Sequence, residues 1–138
     1  MTGKRTWIVL GLVEVAALTV AGIAGAHQVV RIKGTMGPDS LTGTEGADLV
    51  NARAGNDTVS TLGGNDRVHA AAGDDTVDGG AGNDRLWGGH GNDDIQGNRG
   101  TDRILGESGN DDFDNSDSTR EILDRNSADN GANDNSAF

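Results

Sequence analysis

Nine aspartates stand nine residues apart in this chain: Asp39, Asp48, Asp57, Asp66, Asp75, Asp84, Asp93, Asp102 and Asp111. Carboxylates arrayed at one spacing point to electrostatics rather than to group transfer. Stacked about 5 Å apart they repel one another, and partial burial worsens the repulsion. A hard dication between neighbours removes that cost. Calcium suits such a place, because it takes about 6–8 oxygens, carbonyls included, in tolerant geometry. Magnesium demands octahedral geometry and keeps its water. Zinc wants histidine or cysteine; cysteine is absent, and His27, His69 and His90 show no ligand spacing and read as surface residues. The strand faces offer no nucleophile paired with a base, so the chain is read as non-enzymatic, with no small-molecule substrate evident.

The elements that position these aspartates follow from the same period. From Gly34 to Asp114 the chain reads GTMGPDSLT, GTEGADLVN, ARAGNDTVS, TLGGNDRVH, AAAGDDTVD, GGAGNDRLW, GGHGNDDIQ, GNRGTDRIL and GESGNDDFD, without an insertion. Column four is always glycine (Gly37, Gly46, Gly55, Gly64, Gly73, Gly82, Gly91, Gly100, Gly109). Such a glycine suits a positive φ or a close backbone approach. Column five is often asparagine, which tolerates the left-handed region and favours turns. Column eight is always apolar (Leu41, Val50, Val59, Val68, Val77, Leu86, Ile95, Ile104, Phe113), flanked by mostly polar residues in columns seven and nine. That alternation is a short strand with column eight facing inward. Columns one to six form the turn.

Strands this short must stack to bury anything. A chain that turns every nine residues lays successive strands on opposite walls, so two repeats make one coil and repeats n and n+2 pair in parallel. The expected fold is all-β: a right-handed parallel β-roll, two nonapeptide repeats per coil, with calcium in the turns. Asp66, Asp84 and Asp102 fall on one edge; Asp57, Asp75, Asp93 and Asp111 fall on the other.

Composition agrees with a roll better than with an ordinary globule. There are 23 glycines, no tyrosine and a net charge of −11. Such a composition alone also describes a disordered acidic chain, but disorder has no reason to hold three columns in register. The negative charge disfavours nucleic acid and anionic membranes as partners and favours cations. With no cysteine, the staple has to be something other than a disulfide.

The ends differ from the repeats. Lys4 and Arg5 precede an apolar stretch from Trp7 to Ala24, and Ala24-Gly25-Ala26 follows. Residues 1–26 therefore read as a signal peptide cleaved after Ala26, which implies a secreted protein. The apolar stretch is also near the length of a membrane span, about 17–20 residues; Glu14 within it weighs against an uncleaved anchor. Residues 27–33 form a lead-in. Residues 115–125 read as a degenerate repeat or cap, with Arg120 where aspartate is due and Ile122 in the apolar column. Residues 126–138 read as a disordered tail.

The pattern resembles the RTX, or haemolysin-type, calcium-binding nonapeptide repeat, G-G-x-G-x-D-x-U-x with U a large apolar residue. GGAGNDRLW (79–87) and GGHGNDDIQ (88–96) match every specified column, while the repeats over 52–78 lack both leading glycines. The resemblance implies several calcium ions, each shared by aspartates and turn carbonyls of repeats n and n+2. Asp84 with Asp102, Asp75 with Asp93 and Asp93 with Asp111 are then the best sites. Gly79, Gly80, Gly82, Gly88, Gly89, Gly91, Gly97 and Gly100 belong to the same implied ligand turns.

The walls differ in charge. One carries Leu49, Arg67, Arg85 and Arg103 with His69, Trp87 and Leu105; the other carries Ser40, Thr58, Thr76, Asp94 and Asp112 with Asp78, Gln96 and Asp114. The arginines read either as a docking wall for an acidic or glycan partner or, more simply, as charges offsetting nearby carboxylates. The expected function is a secreted calcium-binding repeat protein that folds on binding the ion; the alternatives are a cell-surface adhesion module and a membrane-anchored calcium-binding protein.

Overall fold

The computed structural model describes residues 6–10, 13–17, 29–114 and 122–124, with side chains over 29–113. The described residues form strands and turns only. The larger sheet runs in the order β1 (Thr6–Leu10), β2 (Val13–Ala17), β3 (Val30–Lys33), β5 (Asp48–Ala54), β7 (Arg67–Ala72), β9 (Arg85–His90), β11 (Arg103–Ser108) and β13 (Ile122–Asp124). The smaller holds β4 (Ser40–Thr42), β6 (Thr58–Ser60), β8 (Thr76–Asp78), β10 (Asp94–Gln96) and β12 (Asp112–Asp114).

From β3 onward every pairing is parallel, and within the repeats it joins residues 18 apart, as in Val59↔Val77 and Val68↔Leu86. Successive repeats alternate between sheets because the chain reverses once in every nine residues, after three residues of strand in the smaller sheet and six or seven in the larger. The result is a parallel β-roll. All nine column-eight side chains are buried between the sheets, with Ile32, Ala52 and Ala70 completing the core. Columns seven and nine face outward or sit at intermediate depth on both walls.

Three features go beyond the repeat pattern. The lead-in supplies a strand of the roll: β3 pairs with β5, with Ile32 opposite Val50. In the larger sheet, strands β5, β7, β9 and β11 run on through columns one to three. There Ala71 pairs with Gly89 and Glu107 with Gly89, which extends the ladder into the turn. At the other end β13 pairs with β11, but Ile104 lies opposite Leu123, 19 residues on. Leu123, not Ile122, thus takes the apolar register position. In sequence, Ser118 and Arg120 stand where the repeat has its column-four glycine and column-six aspartate.

The residues read as an export signal include β1 and β2, an antiparallel pair whose second strand joins β3. The cleavage position after Ala26 and the 126–138 tail lie outside the described residues.

Candidate metal centre

The turn is built from two close approaches between coils. Column-four glycines from Gly55 to Gly109 all have positive φ, for example +143° at Gly82 and +144° at Gly100. A Cβ on Gly82 would collide with the carbonyl oxygen of Gly64, one coil back. The column-four amide meanwhile donates to the next coil: Gly82 N–H reaches the Arg99 carbonyl at 2.7 Å. Only glycine satisfies both demands.

Column two is the second special position, and the sequence reading missed it. Arg53, Leu62, Ala71, Gly80, Gly89, Asn98 and Glu107 all have positive φ, between +63° and +115°. Column five, where the asparagines stand, does not. Its side chains act between coils instead: Asn65 Oδ1 accepts from Asn83 N–H at 2.8 Å, and Asn83 Oδ1 accepts from Thr101 N–H at 2.8 Å. The doublet Gly79-Gly80 was the available signal for column two, masked elsewhere by Arg53, Leu62 and Ala71.

All nine column-six aspartates are buried, and they line the two edges of the roll as the period requires. The amides from Asp39 to Asp93 each donate to the carboxylate one coil ahead, as in Asp57 N–H to Asp75 Oδ1 at 2.7 Å, Asp66 to Asp84 at 2.8 Å, Asp75 to Asp93 at 2.9 Å and Asp84 to Asp102 at 2.8 Å. One oxygen of each carboxylate from Asp57 to Asp111 is thereby satisfied. The second is not: Oδ2 of Asp57, Asp75, Asp84 and Asp93 is buried with no hydrogen-bond partner. A buried acceptor left alone costs about 1–3 kcal/mol, more when charged.

The electrostatics carry the same message. Burial pushes Asp84 up to about 7, outweighing the Asp66 amide that favours its anion, and the charges of Asp66, Asp102 and Asp78 add to the rise. Burial likewise lifts Asp93 to about 7 against the Asp75 amide, with Asp75, Asp111 and Asp74 adding. Asp57 and Asp75 are raised for the same first reason, as is Asp66, where the Thr61 side chain and the Asp48 amide temper the rise. Removing water from these carboxylates without supplying a counter-charge disfavours the anion.

A cation fits this environment. Beside Gly79, the point where a Cβ would stand is 2.8 Å from Asp84 Oδ2 and 3.2 Å from the Gly97 carbonyl oxygen. A carboxylate and a carbonyl from adjacent coils thus converge next to a residue that offers no side chain. Beside Gly88, Asp93 Oδ2 and the Gly106 carbonyl converge in the same way. Among the described residues no three His, Asp or Glu side chains converge on one point. An ion would have to draw much of its shell from backbone carbonyls, which suits calcium and not zinc. The repeats over 52–78, despite Ala52, Thr61 and Ala70 in column one, keep the same positive φ and the same buried aspartates.

On the outer wall, Arg31, Leu49, Arg67, Arg85 and Arg103 stand in register along the larger sheet. His69 and Trp87 stack face to face beside them, their ring centroids 4.2 Å apart.

A parallel β-roll with a buried aspartate in every turn defines a class of metal-binding repeat protein. The family model of the RTX calcium-binding nonapeptide repeat matches in four copies, over residues 33–68, 60–95, 69–104 and 87–117. The chain belongs to that family, and its repeats are calcium-binding units. No curated protein and no solved structure matches it.

Proposed function

We propose that this is a secreted, non-enzymatic calcium-binding protein whose roll folds when calcium enters the turns. The observation that carries the reading is the set of buried aspartate oxygens without partners at Asp57, Asp75, Asp84 and Asp93. Without a cation these oxygens oppose folding; with one they hold adjacent coils together. The ligands are the column-six carboxylates with carbonyls of the glycine-rich turns, foremost around Gly79, Gly80, Gly82, Gly88, Gly89, Gly91, Gly97 and Gly100. Calcium supplies positive charge at the points where these oxygens converge. The chain's own residues align the coils, exclude water and present the oxygens. Extracellular calcium modules bind with Kd of about 10⁻⁴–10⁻³ M, or about 4–5.5 kcal/mol per ion, so several ions can decide folded against unfolded.

Circular dichroism with calorimetry on residues 27–138 tests this. Chelated protein should be largely disordered and should gain β-structure with millimolar calcium; an unchanged spectrum across the titration would defeat it. Export rests on Lys4, Arg5, the apolar stretch to Ala24 and the Ala24-Gly25-Ala26 site. Intact mass of secreted material should match a chain starting at His27; a mass retaining Met1 to Ala26 would refute cleavage.

A further inference from the structure

The first two repeats are built differently from the seven that follow. Thr35 and Thr44 occupy column two, and neither has the positive φ found at that column in every later repeat. In this conformation the Thr35 amide donates to Asp39 Oδ2 at 2.6 Å, and its hydroxyl lies 3.1 Å from the same oxygen. That hydroxyl also accepts from Gly37 N–H at 3.2 Å. The second repeat reproduces the arrangement: Thr44 N–H reaches Asp48 Oδ2 at 2.6 Å, its hydroxyl stands 3.2 Å from Oδ1, and it accepts from Gly46 N–H at 3.1 Å. Short hydroxyl side chains close local turns in this way. The column-four glycines of these repeats, Gly37 and Gly46, also lack positive φ.

Two states of the turn therefore exist in one molecule. Where column two is left-handed, Oδ2 of Asp57, Asp75, Asp84 and Asp93 has no partner. Where it is threonine in an ordinary conformation, Oδ2 is satisfied from within the turn. The left-handed state is strained for Arg53, Leu62 and Ala71 and persists only where surroundings over-determine it. The backbone ladder between coils holds it, and on the calcium reading an ion between coils would add to that hold. At Asp39 and Asp48 none is needed. Eighteen residues earlier in the sequence stand Ala21 and Val30, neither of them a carboxylate.

We infer that Thr35 and Thr44 are built-in caps that take the place of calcium at the first two turns, so that Asp39 and Asp48 contribute no metal ligand. The inference rests on the calcium reading above. It removes the pairs Asp39–Asp57 and Asp48–Asp66 from the ladder and leaves five shared carboxylate pairs, from Asp57–Asp75 to Asp93–Asp111. Column two thus determines which turns take the ion.

The test is calcium stoichiometry by calorimetry on the full chain, with circular dichroism in saturating calcium to verify folding. The wild type should bind no more than five ions. Asp39→Asn with Asp48→Asn should leave that number unchanged, whereas Asp84→Asn with Asp93→Asn should lower it by at least one. If the first double variant folds poorly, Thr35→Val with Thr44→Val asks the same question, since valine also avoids the left-handed region; the ion count should again hold. Six or seven ions in the wild type, or a loss of ions in either N-terminal double variant, would overturn the inference. A wild type that binds no calcium would instead overturn the proposed function.

Discussion

The backbone amide of Asp66 donates to Oδ1 of Asp84, 18 residues further along the chain, at 2.8 Å. This bond ties one coil to the next and leaves Asp84 Oδ2 buried and facing the Gly79 turn. The same carboxylate thus has a structural half and a half available to a cation. Asparagine keeps the first and loses the charge; alanine loses both. Asp84→Asn should weaken calcium binding at its edge. Asp84→Ala should do so and cost a further 1–3 kcal/mol or about that, because the Asp66 amide is then buried alone. Thermal melts of both variants at saturating calcium check the difference; equal midpoints would contradict it.

Protons should imitate calcium in part. Burial raises Asp84 and Asp93 to about 7 in the folded chain, from 3.8. Between those values the metal-free folded form holds protons that the unfolded form releases. Its stability is therefore greatest below about pH 4 and is lost as pH rises through about 7. In chelator, β-structure should increase on acidification from about pH 8 to about pH 5. Calcium affinity should move the other way and fall on acidification, since protons compete for the same oxygens. Circular dichroism in chelator and calorimetry at the two pH values measure both.

Glycine is required at column four where coils stack, not at every column-four position. A Cβ at Gly82 collides with the Gly64 carbonyl oxygen and sits on a backbone with φ of +143°. At Gly37 a Cβ meets nothing within 4 Å. Gly82→Ala should cost more than about 3 kcal/mol in calcium, whereas Gly37→Ala should stay within about 0.5 kcal/mol. Denaturant titration in saturating calcium distinguishes them.

The core is two facing stacks, one column-eight side chain per repeat, so each truncation should be felt. Ile95 is fully buried between Val77 and Phe113 on the smaller sheet. Ile95→Ala should destabilise the calcium-loaded roll by about 2–5 kcal/mol. If ion binding is coupled to folding as proposed, it should also raise the calcium concentration needed for folding. A calcium midpoint unchanged from wild type would argue against that coupling.

Much of the architecture was legible in the residues themselves. A glycine, an aspartate and an apolar residue held in register over nine repeats determine a coil of 18 residues, the inward column and the two aspartate edges. A nine-residue turn-and-strand unit has few other ways to bury one apolar side chain per repeat. Other features were decided only between coils. Column two takes the left-handed conformation at Arg53 and Leu62 although neither residue favours it, and the asparagines of column five are ladder acceptors rather than left-handed residues. The register of β13 places Leu123, not Ile122, opposite Ile104, a shift that the nine-residue period alone does not predict. Asp39 and Asp84 occupy the same column, yet one carboxylate is satisfied by Thr35 while the other is buried with an oxygen unmatched. The sequence by itself determined where each carboxylate falls along the roll. Only the tertiary structure decided which oxygens remain unpaired, because backbone φ and hydrogen-bond partners depend on the coil stacked against each turn.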